Sequence, residues 1–232
     1  AAFPDVPVHI HVAEQVKEVE DCLAAHGTRP IALLADHVAL DARWCLIHAT
    51  HADAAERKAM LDAGLVAGLC PVTEANLGDG LFDAVDFMGK GGAVAVGTDS
   101  NVAISVTGEL ALLEYGQRLK TLRRAALAPR GGSTGRRLFD ATLAGGAQAL
   151  GLRSHGLTVG AQADFVVLDT DDIAFAGRSD DAILDTWLFG PATRAVKEVY
   201  CGGKRVVADG RHILRETVEA RARQVLERIA TS

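Results

Sequence analysis

His11-Val-Ala-Glu14 closes an apolar run at residues 6–11 (VPVHIH), and three runs of the same form follow: 44–48 (WCLIH), 65–70 (LVAGLC) and 93–98 (AVAVGT). Each is short and apolar and ends on a polar or turn residue. Helix-like stretches lie between them, at residues 14–26 and 53–63. Strands alternating with helices build a parallel sheet. In a closed parallel barrel, the residues at the C-terminal ends of the strands converge on one mouth. His11, His48 and Asp99, the last inside Gly97-Thr-Asp-Ser100, stand at such ends and are expected to cluster, with Glu14 beside them.

The length of the repeat narrows the fold. A complete eight-stranded barrel takes about 250 residues, whereas the chain from His11 to Asp99 has room for four strand–helix units. After Asp99 the pattern stops, and a helical, basic stretch (109–124) leads elsewhere. The expected fold class is α/β: the C-terminal half, strands five to eight, of a TIM-like metal-dependent hydrolase barrel with a small β-rich flanking domain. The chain opens at Ala1 without an initiator Met, as a fragment of this kind would.

The expected partition is residues 1–150 for the partial barrel, 151–215 for the β-rich domain and 216–232 for a closing helix. Residues 142–150 read as a helix ended by Gly151, and 125–134 as a loop. Alternation at 164–169 marks a strand. Residues 196–200 and 204–207, around Gly202-Gly203, read as a hairpin.

Composition is that of an ordinary enzyme, with 49% apolar and 23% charged residues among 232. A net charge of −6 leaves no basic face for nucleic acid, and no apolar run approaches a membrane span. The four cysteines are widely spaced with no CxxC pair, which argues against a zinc knuckle or disulfide framework and for a reducing cytoplasm.

A catalytic metal site needs about three protein ligands and an open position for water. His11 can point into the mouth as a ligand. Glu14 lies close enough to take a proton from an activated water. His48 can polarise or hydrogen-bond the atom under attack, and Asp99 can both ligate a metal and accept a proton. Taken singly, each has a plainer reading. A strand-end histidine can be a hydrogen-bonded structural residue, Glu14 an acid favouring a helix start, and Asp99 an N-cap. Their common register at strand ends is what points to a site. His9-Ile-His11 has the HxH spacing with both rings on one face, but too little chain precedes Asp99 for this to be a first strand. His9 is expected to face the barrel interior, and His51 to stabilise the loop after residue 48.

At these residues the chain resembles the amidohydrolase superfamily, and within its deaminase branch the formiminoglutamate deiminase family. The resemblance lies in residues 9–20 (HIHVAEQVKEVE), 44–53 (WCLIHATHAD), 68–80 (GLCPVTEANLGDG), 97–100 and 114–119 (EYGQRL), with 156–169 resembling the flanking β-domain. It implies a divalent ion, zinc by preference with iron or manganese as alternatives, held by His11 and Asp99, with Glu14, His48 and Asp99 as catalytic residues. It implies hydrolysis of N-formimino-L-glutamate to N-formyl-L-glutamate and ammonia in histidine breakdown, by a cytoplasmic homodimer acting on a small molecule. Residues 73–80, on a loop after the third run, would line the pocket. The family's first-strand HxH pair has no counterpart in this chain, and Asn101 stands where a histidine is expected. Two other readings remain: a guanine- or triazine-type aminohydrolase, and a non-catalytic truncated product.

Overall fold

The computed structural model describes residues 5–100, 103–192 and 195–231. Four parallel strands, β1 (Val8–Val12), β2 (Trp44–His48), β3 (Val66–Leu69) and β4 (Ala93–Val96), form one sheet in sequence order. The register is continuous: His11 lies beside Ile47, Ile47 beside Gly68, and Gly68 beside Ala95. All four strand C-termini therefore open on one edge. Asp99 lies three residues past the last residue of β4, in a turn, rather than on the strand itself.

The helices between the strands are α1 (Val16–His26), α2 (Pro30–His37), α3 (Ala54–Asp62), α4 (Pro71–Leu77) and α5 (Ala84–Gly89). Local chemistry explains them. α3 carries a reciprocal capping box between Asp53 and Glu56. α1 ends on Gly27 in the left-handed region. The expected loop at 73–80 is in its first half α4. Pro71 presets the first helical φ, Gly78 accepts the left-handed exit, and at seven residues the helix is too short to show a period. α6 (Val106–Thr121) and α7 (Thr134–Ala149) start earlier than expected because Ser105 and Ser133 cap them, through Gly108 N–H and Arg136 N–H.

The sheet's two faces differ. Leu46, Ala67, Leu69 and Val94 join Met60, Phe82, Phe87, Leu110 and Leu138 in the main core under the helices. On the other face, the barrel interior, Cys45, Val66 and Ala95 meet Ala149 from the end of α7.

Beyond the barrel, β5 (Phe165–Leu168), β6 (Val196–Cys201), β7 (Lys204–Ala208) and β8 (Arg211–His212) form an antiparallel sheet, which contains the expected hairpin. A helix inside that region, α8 (Asp181–Phe189), was not expected. Leu188 enters the main core while Trp187 also packs on the small cluster of Phe175, Ala192 and Ala195. α8 thus ties the second sheet to the barrel helices. The closing helix α9 (Arg215–Ala230) buries none of its residues.

Candidate active site

The mouth of the parallel sheet collects the four predicted residues. One ligand atom each from His11, His48 and Asp99 lies within 4.8 Å of the others. His11 Nε2 is 3.8 Å from Asp99 Oδ1, and the His11 and His48 rings are 5.4 Å apart. Glu14 Oε1 approaches His48 Nε2 at 3.5 Å.

Strand alternation alone would have turned His48 away from this cluster. Leu46, two residues earlier, belongs to the helix-side core, and His48 pairs in register with buried Val12. At His48 the chain instead adopts φ 66°, followed by φ 47° at Ala49; Ala13 (52°) and Asp99 (42°) are left-handed too. Left-handed backbone in non-glycine residues is costly and clusters where function needs a side chain re-aimed. Here it occurs at the ends of three of the four strands.

A divalent ion fits this donor set. Two imidazoles and a carboxylate are borderline ligands suited to zinc, iron or manganese. His48 Nε2 is buried, has no hydrogen-bond partner among the described residues and faces the cluster, 4.0 Å from Asp99 Oδ2. His48 thereby joins His11 and Asp99 as a possible donor. Burial lifts the Glu14 carboxyl above its ordinary range; His48 and His11 pull the other way, while the Asp79 and Asp99 carboxylates add to the rise. A carboxyl poised in this way suits proton exchange. Burial alone would depress His48, yet the bond to Glu74 and the Glu14, Glu74 and Asp99 charges lift it overall.

A supporting shell was not foreseen in the sequence. Its members come from the 73–80 stretch. Thr73 Oγ1 bonds to the Thr98 carbonyl, Ser100 Oγ and Ser100 N–H, so it pins the turn that carries Asp99. Glu74 reaches His48 Nδ1 at 3.3 Å and accepts the Cys70 N–H at 2.9 Å. Asp79 accepts from Gln15 through its side chain and from His51 through its carbonyl. His51 thus ties down the loop after β2, as expected. His9 shares the interior face with His11, two residues back along β1, and donates to the Ala149 carbonyl at 2.8 Å. The signal for Glu74 was a carboxylate in the first turn of a proline-started helix directly after a strand. Asn101 lies outside the described residues.

The EYGQRL stretch serves structure. Buried Glu114 accepts Arg118 Nε and the N–H groups of Ala126 and Leu127, and Gln117 bonds the Phe82 carbonyl and Val85 N–H. A side chain at Gly116 would meet Leu81 at 2.6 Å.

Residues 1–206 match the amidohydrolase family. The chain belongs to the amidohydrolase family. It is 53% identical over 216 residues to a formimidoylglutamate deiminase of Pseudomonas aeruginosa, covering 91% of this chain and 47% of that protein. A crystal structure of an amidohydrolase from Brucella melitensis superposes with TM-score 0.93 at 50% identity, over 98% of this chain and 50% of that one. An adenosine deaminase from Xanthomonas campestris with bound zinc superposes with TM-score 0.87 at 26% identity, over 98% of this chain and 52% of that one. This amidohydrolase chain therefore spans about half the length of the relatives it matches. The α/β half-barrel reading agrees with these relatives.

Proposed function

We propose that this chain supplies the C-terminal part of the active site of a metal-dependent deiminase. The reaction is hydrolysis of N-formimino-L-glutamate to N-formyl-L-glutamate and ammonia. The observation that carries the chemistry is the convergence of His11, His48 and Asp99 beside a Glu14 carboxyl raised by burial. The 53% identity to a formimidoylglutamate deiminase supports the choice of substrate.

His11 and Asp99 would hold a divalent ion, which we take to be zinc. Bound there, such an ion supplies a nucleophilic water at neutral pH. Glu14 is placed to accept a proton at its carboxylate and to hand it to the departing nitrogen, a role contributing about 10²–10⁴-fold. His48 faces the same point through Nε2 and hydrogen-bonds the attacked centre or its nucleophile. Asp99 doubles as a proton acceptor. Thr73 holds the Asp99 turn in place, and the left-handed backbone at His48 aims its ring into the mouth rather than the core. We place the enzyme in the cytoplasm, in keeping with the free thiols of Cys22, Cys45, Cys70 and Cys201, and expect the full-length product to be a homodimer. Among the described residues, no helix is long and apolar enough to cross a membrane.

The test is ammonia release from N-formimino-L-glutamate by the full-length gene product, with metal content measured on the same sample. Turnover with about one ion per chain is the expected outcome. Bound metal with no turnover on this substrate, but turnover on guanine or an aminated triazine, would replace the substrate assignment. Absence of both metal and turnover would favour the non-catalytic reading.

A further inference from the structure

Glu74 is a buried carboxylate that the proposed reaction does not use. Its side chain is 5% exposed and stands behind the ring of His48, on the side away from His11 and Asp99. Oε1 accepts the Cys70 N–H at 2.9 Å, which ties the carboxylate back to the N-terminus of its own helix. The same oxygen lies 3.3 Å from His48 Nδ1. The helix start is fixed in turn by Glu109, buried on α6, whose Oε2 accepts the Val72 N–H at 2.9 Å. The carboxylate therefore meets His48 from a rigid base.

An ionised carboxylate only accepts hydrogen bonds. An Oε1 already engaged by a backbone N–H and facing Nδ1 favours the ring form that carries its proton on Nδ1. The opposite nitrogen, Nε2, is then the one presented to Glu14, Asp99 and His11. Nε2 is buried with no hydrogen-bond partner among the described residues; Glu14 Oε1 and Asp99 Oδ2 stand off at 3.5 and 4.0 Å, farther than Glu74 Oε1 at 3.3 Å from Nδ1. Which ring nitrogen is free is set by the bond that the other one makes.

We propose that Glu74 is a positioning residue that holds the proton of His48 on Nδ1 and so aims Nε2 at the reacting centre. The consequence for the reaction rests on the deiminase reading above, but the geometry of the pair does not. Partners of this kind change activity by about 10–100-fold when removed.

The experiment uses the full-length gene product in two measurements. Nitrogen-15 NMR of the metal-free protein, at a pH where the imidazoles are neutral, reports which nitrogen of His48 bears the proton. His48→Gln provides the assignment. The expected result is an Nδ1-protonated ring in the wild type and loss of that preference in Glu74→Gln. In steady-state kinetics, Glu74→Gln is expected to lower kcat by about 10–100-fold, with KM within about threefold and metal content unchanged. A wild-type ring protonated on Nε2 overturns the proposal, as does a Glu74→Gln enzyme whose kcat stays within twofold of wild type. If Glu74→Gln does not fold, the wild-type spectrum alone decides. Failure of the wild type to turn over N-formimino-L-glutamate would sink the substrate assignment and leave the ring measurement standing.

Discussion

Glu14 sits three residues beyond His11, at the point where β1 gives way to α1, and its carboxyl is lifted by burial. In the proposed reaction the carboxyl is a proton carrier and not a ligand, so Glu14→Gln in the full-length product should keep its metal and lose about 10²–10⁴-fold in turnover. Ammonia release and metal analysis on one preparation check this; near wild-type turnover would remove the role. The thiols give a second prediction at this scale. Burial pushes Cys45 up to about 11 and Cys70 up to about 12, the latter helped by the Glu74, Asp99 and Glu109 carboxylates. The thiolate is the reactive form, so both stay protonated and inert at neutral pH, while exposed Cys201 should react first with a thiol reagent at pH 8. Peptide mapping after timed labelling gives the order. Labelling of Cys70 ahead of Cys201 would contradict the burial that the fold gives it.

Among the elements, α7 shows how closely helix and sheet meet. A Cβ on Gly145 would come within 2.0 Å of the Val94 carbonyl oxygen on β4, whereas one on the neighbouring Gly146 would meet nothing within 4 Å. The two substitutions should therefore have opposite signs. Gly145→Ala forces the helix off the strand and should cost about 1–3 kcal/mol. Gly146→Ala removes a flexible residue from a helix interior and should stabilise by up to about 1 kcal/mol. Thermal unfolding of both variants is the measurement; equal shifts would mean α7 does not rest on β4 as described. α4 teaches a related lesson. Its two-turn length hides it from periodicity, and its N-terminus is held by Glu74 and Glu109, of which one lies 37 residues away from the N–H it accepts.

Over the whole molecule, the parallel sheet is open. Among the described residues, β1 pairs only with β2 and β4 only with β3 in the order β1-β2-β3-β4. Beside β1 lies a cleft of about 660 Å³ lined by Ile10, Val12, Leu33 and Leu34. Unpaired edges and exposed apolar clefts promote association. The 232-residue chain purified by itself should therefore sediment as oligomers or aggregate. A sharp monomer boundary together with cooperative unfolding would show that the open sheet is self-sufficient.

The strand–helix alternation, the placement of His11, His48 and Asp99 near the strand ends, and Glu14 beside them were legible in sequence, because apolar runs and their polar ends are local patterns. The hairpin around Gly202-Gly203 was legible for the same reason. What only tertiary structure decided is which side chains support the site. Strand alternation places His48 on the helix side; its left-handed backbone, sustained by surrounding packing, places it in the mouth. Thr73 and Glu74 read as loop residues until α4 carries them against the Asp99 turn and the His48 ring, 25 and 26 residues away along the chain. α8 was invisible as the joint between the two sheets, because its value lies in Leu188 and Trp187 facing different cores. Short-range patterning specifies which elements form. Long-range contacts, whose partners no local window contains, specify what those elements hold in place.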